Sequence, residues 1–479
     1  MIMQDCMLVI GFSDTACHSV VRKLRAERIN VLIRESNVTY EEVIRIAPSG
    51  IVLAALAEGE REIDFDSRLL QAGIPVLALG DTSLKMLELL GGSVGDVIGE
   101  KELMSLHFSH SVVTDGIDDQ ERMLKKAYEM KIGGCISELV RAGKQVIGYV
   151  HDVMPVYGLQ LEAESNDPDS AMLLKNFAGG ICNCSTEWND DKLIETMQMD
   201  MREACGDGNV LCGLTGGLDS AVAALIAHKA MPGRVKCFFA DTGLLRAREV
   251  SDFIRCFRDD LGMDITLIDA RERFETALKG ITAAAEKKRV ISALLRTLLM
   301  EMIGENENVS LIVRGTTQND VLHKTTKPIP ADIRTAEPLK EFYKDEVRHI
   351  AESLGVPQNW VTVQPFPGTG LALRIIGEVT AERLSVVRVC DDIFNDELKK
   401  SGVKRLLKSF AALVPVEDDR YIVLLRAVQV AEGERNHPVR LPYDLLETVV
   451  ERILQAKACV SRVLYDMTPA PDFTGIEYN

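Results

Sequence analysis

The chain holds 479 residues, 46% hydrophobic and 27% charged, the make-up of a globular protein too long for a single core, so two to four domains are expected. A formal charge of −17 argues against non-specific binding to a nucleic-acid backbone, and no run reaches the about 18 apolar residues of a membrane span. A small phosphate site stays open, because it needs only a few oriented donors.

The opening MIMQDCMLVIGFSD places an acidic residue before a short apolar run and has no basic flank, so it is read as a first β-strand of a cytoplasmic protein and not as a signal peptide. Up to about residue 190, short apolar runs (CMLVI, INVLI, GIVLAAL, PVLALG, QVIGYV) alternate with amphipathic or polar segments. That pattern predicts a mostly parallel sheet covered on both faces. A polar joint, Ser185 to Asp191, precedes a second α/β pattern: strand VLCGL, a helix from Asp219, strand VKCFFA, a helix after Arg246 and strand ITLI. Two helical segments over about 271–304 and strand VSLIVRG follow. The stretch 315–340, rich in Thr, Pro and charge, is read as a long loop. From Pro365 onward, strands FAALVPV and YIVLLRAVQV and a helix over LPYDLLETVVERILQAKACVSRVLYDM make a small module whose exposed-looking apolar strands suit oligomerisation. The eleven cysteines lie scattered in apolar runs and are expected to be buried, reduced thiols. Cys182 and Cys184, one residue apart, lack zinc-ribbon or redox spacing.

The sharpest feature is LCGLTGGLDS, residues 211–220, between a buried strand and a helix. Gly216 and Gly217 let the backbone approach an anion closely and leave N–H groups pointing into the turn. Thr215 and Ser220 add hydroxyl donors, and the helix that starts here brings the positive end of its dipole. Such an assembly suits a pyrophosphate. It is not a Walker A loop, because no Gly-Lys-Ser/Thr follows. The blander alternative is a tight strand–helix turn with Asp219 as helix cap.

Thr215–Ser220 resembles the SGG-x-DS loop of PP-loop ATP pyrophosphatases, with Thr replacing the first Ser and keeping its hydroxyl. Downstream, DTGLLR (241–246) is similar to the D-N-G-L-L-R segment of GMP synthetases, and AEKKR (285–289) to their P-E-x-K-R. Gly315-Thr316 with Asp320-Val321 matches G-T-x-x-x-D-V, and EPLKEFYKDEVR (337–348) matches E-P-L-R-x-L-F-K-D-E-V-R. PFPGTGLA (365–372), Arg374 and GEV (377–379) resemble the opening of that family's dimerisation domain, and Asn176-Phe177, ICNC (181–184) and Trp188 its interdomain junction. The motifs run in order along nearly the whole chain. The resemblance implies an α/β protein in three parts: a class I glutamine amidotransferase-like domain (1–188), an adenine-nucleotide alpha-hydrolase-like PP-loop ATP pyrophosphatase domain with a parallel sheet (189–364), and a smaller α+β dimerisation domain (365–479).

In that family ATP sits on the PP-loop and its α-phosphate is attacked by O2 of the xanthine ring of XMP. Pyrophosphate leaves, and ammonia then displaces AMP to give GMP. Carried over by motif, Thr215, Gly216, Gly217, Leu218, Asp219, Ser220, Gly315 and Asp320 hold ATP or its pyrophosphate, Lys344 is a phosphate cation, and Asp219 organises Mg²⁺. Asp219 and Lys344 are the catalytic candidates; the blander alternative for Lys344 is a solvated helix residue. Arg289, Arg420, Ile476 and Glu477 fall at positions implied to contact the acceptor nucleotide.

The resemblance fails at the glutaminase. The family's P-V-L-G-I-C-Y-G aligns with Pro75 to Thr82 and puts Gly80 at the nucleophile, a position that needs a thiolate. G-L-Q-F-H-P-E aligns with Gly158 to Glu164, so the general-base histidine is Glu162 and only the orienting Glu164 remains. The turn S-G-G-P reads Ala54-Ala55-Leu56. Cys17-His18 offers no substitute triad. Ammonia is therefore expected from solution or from a separate glutaminase. The nucleobase side also departs: K-S-H-H-N-V-G-G-L-P corresponds to the region Lys324–Pro330, R-H to Val363-Gln364, V-G-V-M-G-D-x-R to Glu417–Arg420, and the C-terminal lysine is missing from Ala470–Asn479. Three readings stay open: an ammonia-dependent GMP synthetase-like ligase forming a homodimer, a PP-loop paralogue adenylating another oxo acceptor for amidation or thiolation, and a non-catalytic nucleotide-binding regulator.

Overall fold

The computed structural model describes residues 5–11, 14–54, 65–161, 168–187, 189–306, 308–322, 334–362, 368–403, 406–416, 420–429 and 437–468. Two units separate, Met1–Leu193 and Ile194–Asn479.

In the first unit the strands are β1 (Met7–Gly11), β2 (Val31–Glu35), β3 (Gly50–Leu53), β4 (Val76–Leu79), β5 (Ser93–Phe108), β6 (Gln120–Lys131), β7 (Ile136–Ala142), β8 (Gln145–His151) and β9 (Val156–Leu159). They form one sheet in the order β2-β1-β3-β4-β9-β8-β7-β5-β6. The helices are α1 (Asp14–Ala26), α2 (Tyr40–Ile46), α3 (Asp81–Leu89) and α4 (Pro168–Asn176). β1, β3 and β4 are buried along both faces, which explains their unbroken apolar runs. The expected parallel sheet is only half of what forms. β2, β1, β3, β4 and β9 pair in parallel, whereas β8, β7, β5 and β6 pair antiparallel, so the run QVIGYV is an antiparallel strand. The long β5–β6 ribbon escapes a hydrophobicity reading because one face is open: Leu103 and Met123 pair directly yet are 54% and 60% exposed. Gln160, buried just beyond β9, receives the Tyr128 N–H (2.8 Å) and donates to the Tyr128 carbonyl (2.6 Å), tying β6 to the end of the parallel half.

α5 (Asp190–Cys205) crosses the unit boundary along the chain. Beyond it, β10 (Asn209–Leu214), β11 (Val235–Asp241), β12 (Ile265–Asp269), β13 (Val309–Val313) and β14 (Arg334–Ala336) form a wholly parallel sheet in the order β12-β11-β10-β13-β14. α6 (Leu218–Ala230) is apolar all round, and Ala221 to Ala227 are all buried, as a helix enclosed on every side requires. α7 (Glu249–Phe253), α8 (Arg271–Leu278), α9 (Ala284–Glu305), α10 (Gln318–Leu322), α11 (Lys344–Ser353) and α12 (Gln358–Val361) complete this layer. The stretch expected to be one long loop contains α10 and the edge strand β14, which pairs with β13 over three residues and is too short to leave a pattern.

The last part adds α13 (Ala381–Lys400), β15 (Leu406–Pro415), β16 (Tyr421–Gln429), β17 (His437–Pro438), α14 (Tyr443–Ala456) and β18 (Val460–Tyr465). β16 pairs antiparallel with β15 and β17 and parallel with β18. Two expectations are corrected here. The helix foreseen over residues 441–467 stops at Ala456, because the β-branched and aromatic run VSRVLY finds a strand partner in β16. The apolar strands are not exposed: Phe410, Leu413, Val423, Leu425 and Ala427 are buried in a core that continues through α13 to Leu244 and Phe274. Nine cysteines are buried as foreseen, but Cys135 is exposed on the β6–β7 turn and Cys459 is half-buried.

A candidate phosphate site at the switch point of the parallel sheet

The chain runs outward from β10 to β11 and β12, then crosses back to β13 and β14 on the other side of β10, so the strand order reverses between β10 and β13. In such sheets the crevice beyond the strand ends at this reversal is the place where ligands bind. The chain puts its glycine-rich turn there. β10 ends at Leu214, Gly216 takes φ +82° and Gly217 caps α6 with φ −84°, ψ 152° and no side-chain hydrogen bond. No side chain claims the first N–H groups of the helix at its cap, and Leu218 opens the helix.

The hydroxyls are organised rather than loose. The Thr215 N–H donates to Ser220 Oγ (3.3 Å), the Thr215 and Ser220 hydroxyls lie 3.2 Å apart, and Ser220 Oγ donates to the Gly217 carbonyl (3.0 Å). From the neighbouring strand, Gly315 packs so close that a Cβ on it would lie 2.4 Å from the Asp219–Ser220 peptide. Only glycine fits, which is a reason for that residue which the motif alone does not supply. Lys344 opens α11 and places Nζ 4.0 Å from Asp219 Oδ2, with 43% and 28% of the two side chains exposed. Burial pushes the Asp219 carboxyl above the ordinary carboxylate range, Lys344 pulls it back down, and Asp320 adds to the rise. Asp320 itself accepts the Thr317 N–H (2.9 Å) and Thr317 Oγ1 (2.8 Å), holding the first turn of α10. A partly open carboxylate with a second nearby fits a hard divalent cation that takes its remaining oxygens from phosphate and water.

The acceptor-side candidates are not drawn into this group. Arg289 is 70% exposed on α9 and pairs with Glu286 at 2.6 Å. Arg420 is exposed, and its carbonyl accepts the Val416 N–H (2.8 Å) at the β15–β16 turn. Ile476, Glu477, Glu162, Glu164, Trp188, Ala55-Leu56 and the altered loops at 324–330, 363–364 and 417–419 lie outside the described residues. Gly80 is described: it stands between β4 and α3 with φ 60°, ψ −134°. That is a sharp strand-to-helix turn, at a residue with no side chain.

One set of contacts leaves no trace in any local sequence motif. Glu249 Oε2 accepts the Arg246 N–H (3.0 Å), and Arg246 Nε donates to Asp391 Oδ2 (2.7 Å), a carboxylate only 1% exposed. The partners are 145 residues apart, so no local pattern could have joined them. A cleft of about 160 Å³ opens beside this segment, lined in part by Thr242, Leu244, Arg271 and Arg388, and none of residues 215–220 lines it.

The NAD synthase family model matches residues 191–408, and the GMP synthase C terminal domain model matches residues 396–478. A glutamine-hydrolyzing GMP synthase of Caldanaerobacter subterraneus subsp. tengcongensis is 31% identical, with 99% of each chain covered. One from Lactobacillus delbrueckii subsp. bulgaricus is 30% identical, over 99% of this chain and 98% of its own. An NH3-dependent NAD synthetase structure from Campylobacter jejuni shares 18% identity over 45% of this chain and 89% of its own, at a TM-score of 0.32. Full-length identity at this level, together with the phosphate loop at the switch point, makes the chain a member of the GMP synthase family, an ATP-dependent ligase of the PP-loop type.

Proposed function

We propose that this protein adenylates O2 of the xanthine ring of XMP with ATP, releases pyrophosphate, and lets ammonia displace AMP to give GMP. The observation that carries the reading is the turn Thr215–Ser220, with Gly216 at φ +82° between two bonded hydroxyls and Lys344 4.0 Å from Asp219. A ring oxygen leaves poorly until a phosphoryl group is attached to it, so the work of the protein is to place ATP and to receive the charge that builds on the departing diphosphate. The N–H groups of Gly216, Gly217 and Leu218 and the hydroxyls of Thr215 and Ser220 hold those phosphates, and Lys344 neutralises them. Asp219, with Asp320 close by, would hold Mg²⁺, which would add charge neutralisation to the phosphates. Arg289, Arg420, Ile476 and Glu477 are assigned to the acceptor side.

The nitrogen source differs from that of the glutamine-hydrolyzing relatives. With Gly80 at the position of the nucleophile and Glu162 at that of the base, the domain 1–188 makes no thioester, and ammonia comes from solution or from another protein. The domain 189–364 carries the ligase, and the domain 365–479 forms a homodimer of a cytoplasmic enzyme. Purified protein with ATP, Mg²⁺, XMP and ammonium is expected to form AMP and GMP in equal amounts, and glutamine in place of ammonium is expected to give neither. AMP formed only with a different oxo acceptor selects the paralogue reading, which the changed loops at 324–330 and 470–479 favour. Turnover with glutamine alone contradicts the assignment of Gly80.

A further inference from the structure

The phosphate loop is not braced only by its own strand and helix. A Cβ on Gly216 would lie 3.3 Å from Glu249 Oε1, so this carboxylate stands directly against the loop. Its other oxygen accepts the Arg246 N–H at 3.0 Å. Arg246 Nε then donates to Asp391 Oδ2 at 2.7 Å, and Asp391 Oδ1 accepts the Ala411 N–H of β15 at 2.9 Å. The segment between loop and network is strapped as well. Arg388, one turn before Asp391 on α13, donates to the Leu245 carbonyl (2.9 Å) and the Gly243 carbonyl (2.6 Å), and the Leu371 N–H donates to the Leu244 carbonyl (2.7 Å). Three successive carbonyls and one guanidinium of this strap are thus satisfied from beyond residue 370.

A half-buried carboxylate next to a loop that receives phosphates is electrostatically unfavourable to the ligand, and desolvation pushes the Glu249 carboxyl above its ordinary range. Its place there has a mechanical reason in the geometry: charge-assisted hydrogen bonds run from the core of the C-terminal sheet through Asp391 and Arg246 to Glu249, which packs against Gly216. We propose that Glu249, Arg246 and Asp391 are positioning residues for ATP, fixing the phosphate loop against α13 and β15. The inference rests on the reading of Thr215–Ser220 as the ATP site. None of the three residues touches the nucleotide; each acts through Gly216. The C-terminal module is, on this account, part of the ATP site's support.

The test is the dissociation constant of Mg·ATP on the full-length protein, by calorimetry, alongside KM and kcat for AMP formation. Glu249→Ala is expected to weaken Mg·ATP about tenfold and to raise KM for ATP more than it lowers kcat. Glu249→Gln keeps an acceptor for the Arg246 N–H and is expected to recover most of the loss. Asp391→Asn is expected to weaken binding about fivefold, and the double variant Glu249→Ala/Asp391→Asn to bind no worse than Glu249→Ala alone, because links in one chain are not additive. Additive losses, or an unchanged dissociation constant in Glu249→Ala, overturn the proposal while leaving the ATP site standing. A wild-type protein that does not bind Mg·ATP overturns the ATP-site reading, and the positioning role falls with it. Thermal midpoints of every variant separate these outcomes from misfolding: a variant unfolded at the assay temperature is replaced by Arg246→Lys, which keeps the charge but is expected to weaken binding because a lysine cannot reproduce the guanidinium geometry.

Discussion

Asp219 illustrates the tension at the site. Its carboxyl is pushed up by burial, so ionising it destabilises the folded protein above its folded-state pKa, and the penalty disappears once the group is protonated in both states. Asp219→Asn is accordingly expected to raise the thermal midpoint of the unliganded protein at pH 7.5, with the gap closing as pH falls through the carboxylate range, while AMP formation is lost. A lower midpoint at pH 7.5 would count against burial as the dominant influence. Lys344→Ala removes the cation nearest this carboxylate and is expected to lower kcat/KM for ATP about a hundredfold, read by pyrophosphate release. At Gly80 the prediction is of something that does not return. Gly80→Cys alone is expected to release no glutamate from glutamine, because Glu162 is the residue proposed at the position of the general base.

At the scale of elements, polar groups buried between segments decide stability. Gln160→Ala would strand the Tyr128 N–H and carbonyl of β6 and is expected to cost about 3 kcal/mol in urea unfolding of the first unit. Lys287 is 1% exposed on α9 and donates to the carbonyls of Ala372 (3.3 Å) and Ile375 (2.6 Å). Burial lowers its pKa from 10.5 to about 8, so the penalty for its charge is fully present below about pH 8 and lifts between about 8 and 10.5. The midpoint of the wild type minus that of Lys287→Met is therefore expected to rise from pH 7.5 to 10; a flat difference would contradict the lowered pKa. These elements also show what a sequence conveys. β10, β11, β13 and the turn after β10 were legible because doubly covered strands leave unbroken apolar runs and the turn demands glycine. β5, β6 and β14 were not, since an open ribbon and a three-residue edge strand carry no apolar signal. α13, buried along much of its length, drew no expectation of its own because its apolar residues are interleaved with charges that pair across the fold, as Asp391 does with Arg246.

Across the whole molecule, motif order along the chain was enough to place it in its family, but not to show how the parts support one another. The loop residues Thr215–Ser220 and their partners Gly315 and Lys344 were legible as a group, whereas Glu249, Arg246 and Asp391 became visible only once the fold joined segments far apart in sequence. Sedimentation equilibrium is expected to give twice the 52.9 kDa chain mass, and a monomer at assay concentration would remove the homodimer from the account. Adenylation of a ring oxygen can be followed through the fate of that oxygen. With XMP carrying ¹⁸O at C2, ammonium, Mg²⁺ and unlabelled ATP, the label is expected in the phosphate of AMP and absent from GMP. Label left in the solvent, or ADP and phosphate as products in place of AMP and pyrophosphate, would contradict it.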